Sequence, residues 1–368
     1  MFRQTRAKRM RRPGGGKKNR GAALIIAVMI VALVTVLSVE IYWHFNLALS
    51  RSGSRMFGVQ ARAYLDAVED FARTVLKADM EENQVDTLEE IWAIDQPPFP
   101  TDDGYVGGRI EDAQGRFNIN QLQTAAAKNP NGGFFTDWSK RYTAPQRRFI
   151  RLLQTFEYGE GEVMDQPTAE SITDAVIDWL DPDSEVSGFG GAEGDFYSRL
   201  EPPMTIGNDV MVSVSELSLV KGVTPELYES LLPYIIALPV DVGLNINTMR
   251  PELLRILNNS NDPMPLDMED AQLLLESRGM AGYSSVQEFL DFPDVEALFD
   301  TQNVGNRQGG GNNQSNPNAF DSANLTVSSD YFLFFGEAMV AEHIMRSQSM
   351  LMRTDQGVVT IRRTDANF

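Results

Sequence analysis

The sequence contains no cysteine and only two histidines, His44 and His343. Without thiols the chain can form neither disulfides nor Cys-ligated zinc or iron–sulfur sites. A Ser-His-Asp triad or a His-based metal site would need one of the two histidines, and neither has neighbours that favour such a site. No G-x-S-x-G, H-E-x-x-H or Walker motif is present. These absences argue against an enzyme, and a chain without thiols tolerates an oxidising compartment.

Basic residues are scarce after the first twenty positions. Residues 1–20 hold nine Lys or Arg and no acid. The rest of the chain therefore contains 23 of the 32 basic side chains and all 51 acidic ones. The chain after Gly21 therefore carries a net charge of −28. Such a surface repels nucleic acid and favours cationic partners or divalent metal ions. We expect no binding of nucleic acid.

One long apolar run follows the basic leader. Residues 22–39 are eighteen positions without a charge, roughly 27 Å of helix and close to the thickness of a bilayer core. Tyr42 and Trp43 come next, where amphipathic rings prefer the membrane interface. The sequence predicts one transmembrane segment over 22–42, with the basic N-terminus in the cytoplasm and the rest exported.

The small residue nearest the apolar run, Gly21, lies before it. Cleavage after Gly21 would remove the leader, residues 1–21, and keep the apolar helix; the alternative is an uncleaved signal anchor. The junction resembles the leader of type IV pilins and type II secretion pseudopilins. That resemblance implies cleavage by prepilin peptidase and N-methylation of Ala22. Pilins carry glutamate at the fifth mature position, where this chain has Ile26, a departure that fits the K-type minor pseudopilin at a filament tip.

The hydrophobic periodicity changes three times along the exported part. Residues 43–119 predict the rest of a long spine helix and a hairpin between 105–110 and 115–119, turned at 112–115. Residues 120–300 predict a helical domain. Residues 301–319 are Gly/Asn-rich and predict a flexible loop, and residues 320–368 predict antiparallel strands. The predicted helices cover 145–156, 168–180, 214–220, 225–236, 250–257, 268–278 and 284–290. The predicted strands cover 324–327, 331–340, 342–353 and 357–363.

These elements together predict an α+β pilin-like fold, in which a long N-terminal helix and an antiparallel sheet are interrupted by a large inserted all-α domain. A short internal echo, 117–120 and 244–247, reads Phe/Leu-Asn-Ile-Asn and is more typical of convergent turn chemistry with Asn as cap than of a duplicated domain. Residues 216–234 resemble a helix-hairpin-helix, but Thr224 replaces its second glycine. We therefore predict a packed helical hairpin there rather than a DNA-binding motif.

The densest polar cluster lies between Asp178 and Tyr197, where six carboxylates fall within eighteen residues. Oxygen-rich loops loosened by glycine suit calcium, which takes six to eight oxygen ligands. The spacing misses that of an EF-hand, because Val186 and Ala192 stand where glycine and glutamate are needed. The alternative is that Asp181 and Asp183 are ordinary turn residues and the other acids form a solvated loop.

Seven segments match one family in order, the K-type minor pseudopilin of the type II secretion system. They are Gly21-Ala22, Phe117-Asn-Ile-Asn-Gln-Leu122, Asp178-Trp-x-Asp-x-Asp183, Gly191-Ala-Glu193, Pro202-Pro203, Ser215-Glu-Leu-x-Leu-Val220 and Leu244-Asn-Ile-Asn-Thr248. The resemblance implies a non-catalytic assembly subunit of the inner membrane, with its large domain in the periplasm. It sits at the tip of the pseudopilus, primes pseudopilus formation and supports the export of folded proteins across the outer membrane.

The resemblance also implies partners and a metal. The partners are the I-type and J-type minor pseudopilins, together with the pseudopilus, the secretin, secreted proteins and prepilin peptidase. The metal is calcium, which the resemblance assigns to Asp181, Asp183 and Glu193, with Glu185 and Asp195 as weaker ligands. Two other functions remain open from the residues alone. One is a membrane-tethered periplasmic calcium-dependent hydrolase; the other is a DNA-uptake pilin, which the net charge opposes.

Overall fold

A computed structural model of the chain describes residues 20–123, 135, 138–158, 161–299 and 320–365. Residues 1–19 of the predicted leader and the Gly/Asn-rich tract at 302–318 lie outside the described residues. The chain divides into two compact units, residues 1–60 and residues 61–368. Each unit is described by itself below.

The helices and strands of the described residues are numbered in chain order. The α-helices are α1 Arg20–Glu82, α2 Trp138–Arg141, α3 Ala144–Leu153, α4 Gln166–Leu180, α5 Gly194–Tyr197, α6 Pro225–Leu231, α7 Pro251–Leu254, α8 Met268–Arg278, α9 Val286–Leu290 and α10 Pro293–Leu298. The strands are β1 Phe99–Thr101, β2 Gly104–Asp112, β3 Phe117–Asn118, β4 Glu157–Tyr158, β5 Glu162–Val163, β6 Ile235–Ile236, β7 Leu244–Asn245, β8 Leu325–Thr326, β9 Tyr331–Val340, β10 His343–Thr354 and β11 Gly357–Asp365.

In the first unit the described residues belong to α1. This helix is long and apolar enough, by length and composition, to cross a membrane. Leu24, Ile30 and Val36 each expose more than half of their side-chain surface in the isolated chain. Apolar surface of this extent is stable only against lipid or another protein. The predicted apolar helix is therefore present and could form a single membrane span.

In the second unit the last turns of α1 pack on the antiparallel sheet. Leu65, Ala72 and Leu76 are buried at helical spacing, and Leu76 shares a core with Phe332, Phe334, Leu351 and other sheet residues. A buried carboxylate anchors the same face, because Glu69 accepts hydrogen bonds from Ser349, Thr360 and Arg363 at 2.6–2.9 Å. The predicted combination of spine helix and antiparallel sheet is confirmed.

The main sheet has the order β1-β2-β9-β10-β11, and all neighbouring strands are antiparallel. The predicted strand 331–340 is observed unchanged, and the two strands after it differ from prediction by one or two residues at their ends. The turn between β10 and β11 lies between the predicted strands 342–353 and 357–363, and Gly357 adopts φ 126° there. A left-handed turn position of this kind favours glycine.

The predicted hairpin between 105–110 and 115–119 is wrong. The hairpin that exists joins β1 to β2 across Asp102 and Asp103. After β2, the Asp112 carboxylate accepts the backbone N–H of Gln114 at 2.7 Å and starts a 3-10 turn. That turn directs the chain away from the sheet, so that Phe117 pairs in parallel with Ile235 instead. The chain thus leaves the pilin-like sheet at the point where the prediction returned it.

The helical insertion has its own core, which runs from Phe117 to Phe320. Most of its predicted helices exist but are shorter, whereas α8 covers the predicted 268–278 and α4 begins two residues before the predicted 168. The predicted helix 225–236 ends near Leu231 because Pro233 cannot continue it, and Ile235 and Ile236 form β6. The predicted helix 214–220 is a 3-10 helix, Val214–Leu219, and α10 was not predicted. The predicted strand 324–327 does not join the main sheet, because β8 pairs in parallel with β7 inside the insertion.

The sequence echo corresponds to two halves of the insertion with the same hydrogen bonding. Asn118 and Asn245 each accept the backbone N–H two residues further on. The second asparagine of each motif then pairs its amide with both backbone groups of one residue. Asn120 pairs with Met211 at 2.8 and 3.0 Å, and Asn247 pairs with Tyr283 at 2.8 and 2.9 Å. In both halves the first two residues of the motif form one strand of a parallel pair, β3 with β6 in the first half and β7 with β8 in the second.

A buried polar network joins the insertion to the sheet. Asp112 at the end of β2 accepts hydrogen bonds from Asn245 at 3.0 Å and from Ser329 at 2.6 Å. Asp86 accepts the backbone N–H of Ser329 at 2.7 Å and the Arg353 guanidinium at 2.6 Å. Burial raises the pKa of Asp86 to about 7, and Arg353 opposes this shift. The carboxylates therefore hold both ends of the insertion against the sheet.

Candidate metal centre

The acidic loop begins where α4 ends, at Asp181 and Pro182. Two carboxylates on α4 accept hydrogen bonds from the backbone of the loop. Asp178 accepts the backbone N–H of Ser187 at 2.8 Å, and Asp174 accepts those of Phe189 and Gly190 at 3.1 and 3.2 Å. Buried carboxylates that accept several backbone N–H groups fix the course of a loop.

A lysine closes the loop from the other side. The Lys221 ammonium donates to the carbonyl oxygens of Gly190 and Gly191 at 2.9 and 3.2 Å. Glycine is required at this point, because a Cβ on Gly190 would lie 2.2 Å from the Cα of Ser171. Gly188, with φ 51°, adopts the left-handed conformation that glycine tolerates best. The helical hairpin that bears Lys221 and helix α4 therefore hold the loop between them.

The loop brings three predicted ligands together. One carboxylate oxygen each from Asp181, Asp183 and Glu193 lie within 4.8 Å of one another. Among the described residues, both carboxylate oxygens of Glu193 and Oδ1 of Asp181 are buried and have no hydrogen-bond partner. Buried polar atoms are nearly always paired, so a group of unpaired carboxylate oxygens suits the binding of a cation.

The electrostatics of the cluster agree with its geometry. Burial, followed by the nearby charges of Asp183, Asp178 and Glu193, raises the pKa of Asp181 to about 7. Burial and the charge of Asp178 also raise the pKa of Glu193. These carboxylates repel one another when ionised, and a divalent cation would remove the repulsion. A donor set made of carboxylate oxygens fits calcium, which prefers hard oxygen ligands.

The other two predicted ligands lie outside this cluster. Glu185 is exposed, and its backbone N–H donates to the carboxylate of Asp183 at 2.7 Å. The Asp195 side chain is 94% exposed and faces Arg199 at 3.6 Å. Neither carboxylate belongs to the group that the structure brings together, although both are close in sequence.

Two further oxygen atoms that could serve as donors were not predicted. Oδ2 of Asp178 and Oδ1 of Asn208 are buried without a hydrogen-bond partner among the described residues. Asn208 belongs to a later loop, where it adopts φ 47° and donates its amide to the carbonyl of Asp183 at 3.2 Å. Asp178 was part of the acidic run, and its place on α4 beneath Asp181 could have indicated it. The sequence carried no such signal for Asn208.

A second acidic group consists of Asp79, Asp86 and Glu90, and one carboxylate oxygen from each of them also lies within 4.8 Å of the others. Its charge is compensated by the protein itself, because the Arg353 guanidinium bonds to both Asp79 and Asp86. This group therefore fits an internal ion pair rather than a metal site.

The predicted processing site lies at the start of α1. Gly21 and Ala22 are exposed and occupy the first turns of this helix. A side chain on Gly21 would meet nothing within 4 Å. Packing therefore gives no reason for glycine at this position.

Comparison with known proteins gives the family. Two models described as "Type II secretion system (T2SS), protein K" match residues 115–240 and 244–306, together more than half of the chain. The protein of that name from Aeromonas hydrophila is 32% identical over 78% of this chain and 86% of its own length. This chain belongs to the type II secretion system protein K family. The boundary between the two matched segments falls between the two equivalent halves of the insertion.

Other relatives extend the match along the chain. Protein K of Pectobacterium carotovorum is 30% identical over 94% of this chain and 96% of its own length. The solved GspK–GspI–GspJ complex from enterotoxigenic Escherichia coli contains a chain with a TM-score of 0.68 and 23% identity, covering 86% of this chain and 100% of that one. The structural likeness confirms the fold, and the family confirms the prediction of a K-type minor pseudopilin.

Proposed function

We propose that this chain is the tip subunit of a type II secretion pseudopilus, anchored in the inner membrane by α1 with its other unit in the periplasm. It assembles there with I-type and J-type minor pseudopilins, primes pseudopilus formation and supports export through the secretin. The observation that carries this proposal is a pilin-like spine and sheet in a member of the protein K family. The related solved structure is a complex of GspK with GspI and GspJ.

The surface of α1 beyond the apolar run suits such assembly. Phe45, Leu49, Met56 and Val59 recur at helical spacing on one face, and each exposes 60% or more of its side chain. A stripe of this kind fits the apolar face of a partner helix. By the family resemblance, ordinary pilins carry a glutamate where this chain has Ile26. The absence of that carboxylate fits a subunit that has no further subunit above it in the filament.

Changing this stripe should weaken assembly. We expect Val59→Glu to reduce capture of co-expressed I-type and J-type subunits by about tenfold or more, because it places a charge in an apolar helix–helix contact. Arg51→Glu introduces the same side chain on the opposite side of α1 and serves as the control. Capture from detergent extracts measures the effect. Equal capture by both variants would contradict the assignment of the stripe.

The N-terminus should be processed after Gly21. We expect protein extracted from membranes to begin at Ala22 with a methylated amine, as intact mass and N-terminal sequencing would show. Gly21→Val should abolish processing almost completely and leave the leader in place. Gly58→Val adds the same side chain at another α1 glycine where a Cβ meets nothing within 4 Å, and should leave processing unchanged. An intact Met1 in the unaltered protein, or loss of the whole apolar run, would refute this part of the proposal.

The acidic loop binds calcium in this proposal. Asp181, Asp183 and Glu193 supply carboxylate oxygens, and Asp178 and Asn208 are placed to add two more. Unpaired buried oxygens at four of these five residues support the assignment. The cation would neutralise the loop and hold it against α4 without taking part in a reaction.

A further inference from the structure

A cavity of about 640 Å³ lies between β2 and the second half of the helical insertion. Its apolar lining comes from Leu88, Trp92, Ile110, Met249, Leu275 and Met280. Its lining contains no residue of the apolar stripe on α1 and none of the acidic loop. Asp112, whose hydrogen bonds join the insertion to the sheet, also lies in its wall.

One wall of this cavity is an open sheet edge. Strand β1 pairs with β2 only from Gly104 to Val106, whereas β9 pairs with β2 as far as Asp112. Among the described residues, no strand continues β1 beside 108–111. The flanking Gly107 and Asp112 are buried, and a Cβ on Gly107 would lie 3.2 Å from the Cα of Pro98. In an antiparallel strand, alternate residues point their N–H and C=O groups to opposite sides. About two residues of this stretch therefore present backbone groups on the unpaired side, where an extended peptide can add a strand.

The cavity also carries a local excess of positive charge. Arg116, Arg109 and Arg250 surround the single carboxylate of Glu111, with N···O distances of 2.6, 3.1 and 3.5 Å. One carboxylate offers about four acceptor sites, far fewer than the roughly fifteen N–H donors that the three guanidinium groups bring together. The rest of the exported chain is strongly acidic, so this concentration of arginine is local.

A fourth arginine has an unused donor at the same place. Arg278 is 5% exposed, and its Nη1 donates to the carbonyl oxygens of Ile246 and Met249 at 3.3 and 2.6 Å. Its Nε is buried without a hydrogen-bond partner among the described residues. Of the acids that line the cavity, Asp112 is engaged by its own hydrogen bonds, and Asp95 is exposed.

We propose that this groove binds an extended acidic segment of a partner protein. The segment adds a strand at the open edge of β2 and places a carboxylate among Arg109, Arg116 and Arg250. Its apolar side chains, at every second position, face the apolar lining. Backbone pairing provides affinity for any extended chain, and the arginines select acidic ones.

Peptide binding to the full-length protein in detergent micelles tests this proposal. The probes are two fluorescein-labelled heptapeptides of alternating valine and threonine, one with two glutamates and the other with two lysines at the same positions. Fluorescence anisotropy should show the glutamate peptide binding at least about tenfold more tightly. N-methylation of alternate amides in that peptide should weaken binding about tenfold or more, because it removes strand hydrogen bonds.

Two variants identify the groove. Arg250→Glu and Met280→Glu should each weaken binding of the glutamate peptide about tenfold. Arg346→Glu alters another arginine, about one-third exposed, that pairs with one glutamate and should leave binding unchanged. Thermal melting confirms that each variant is folded. The proposal is overturned if neither peptide binds at about 1 mM, if both bind equally, or if Arg346→Glu has the same effect. It is also overturned if sedimentation shows that Arg250→Glu abolishes self-association, because the occupant is then a second copy.

Discussion

Arg353→Ala is expected to lower the free energy of unfolding by about 3–5 kcal/mol, the usual loss when one partner of a buried ion pair is removed. The guanidinium is 7% exposed and bonds to Asp86 at 2.6 Å and also to Asp79. It also lies 4.4 Å from the ring centre of Phe332. Without it, the buried Asp86 and the half-buried Asp79 lose their counter-charge beside Glu90, and the spine helix loses one of its ties to β10.

A matched control is available on the same strand. Arg346 pairs with Glu337 at 2.6 Å, but both side chains are about one-third exposed. Arg346→Ala should therefore cost only about 0–1 kcal/mol. Urea unfolding followed by tryptophan fluorescence measures both variants. An equal loss in the two would mean that the buried network contributes no more than a surface pair.

The pH dependence of Arg353→Ala has a definite sign. Arg353 lowers the pKa of Asp86, which burial raises from 3.8 to about 7, so its removal should raise that pKa further. In the variant, the native state then holds a proton that the unfolded chain, with its ordinary pKa, has released. Stability relative to the unaltered protein should therefore recover as the pH falls from 8 towards 5.

Removal of calcium is expected to lower the melting midpoint by roughly 5–10 °C. A ligand present at 100 times its dissociation constant stabilises the native state by about 2.7 kcal/mol, and each kcal/mol shifts the midpoint by about 2–4 °C in domains of this size. Melting with chelator, and again after calcium is restored, measures the shift. Loss of the cation leaves Asp181, Asp183 and Glu193 in mutual repulsion, which is the physical cause.

Two variants make this experiment specific. Asp181→Asn should lose the response to calcium, yet melt above the unaltered protein in chelator, because one repelling charge is gone. Asp195→Asn changes an exposed acid outside the cluster and should keep the full response. If chelator and calcium leave the midpoint of the unaltered protein where it was, the site should be withdrawn.

Periodicity predicted most of the architecture, because regular elements with one buried face leave a strong signal. Strand 331–340 and the spine helix are examples. The hairpin failed because the Asp112 carboxylate, through contacts with residues more than a hundred positions away, diverts the chain. The helix predicted to Ile236 failed because Pro233 and a two-residue parallel pairing outweigh apolar periodicity.

The candidate site shows the same limit. Composition indicated only an acidic loop that suits calcium, and the family resemblance singled out Asp181, Asp183 and Glu193, with Glu185 and Asp195 as weaker ligands. Composition alone could not rank these acids, because burial decides which of them face inward. Asn208 was beyond prediction, since it reaches the cluster from a different loop. Long-range contacts of this kind leave no local pattern.

The hydrogen bond between Asp112 and Ser329 joins residues 217 positions apart. The chain thus leaves the sheet after β2 and re-enters it at β9 through neighbouring points. Because the exit and entry are adjacent, β2 and β9 would stay aligned whatever length of chain lies between them. The insertion can accordingly gain or lose whole segments, such as the Gly/Asn-rich tract, while the pilin-like scaffold keeps its strand order.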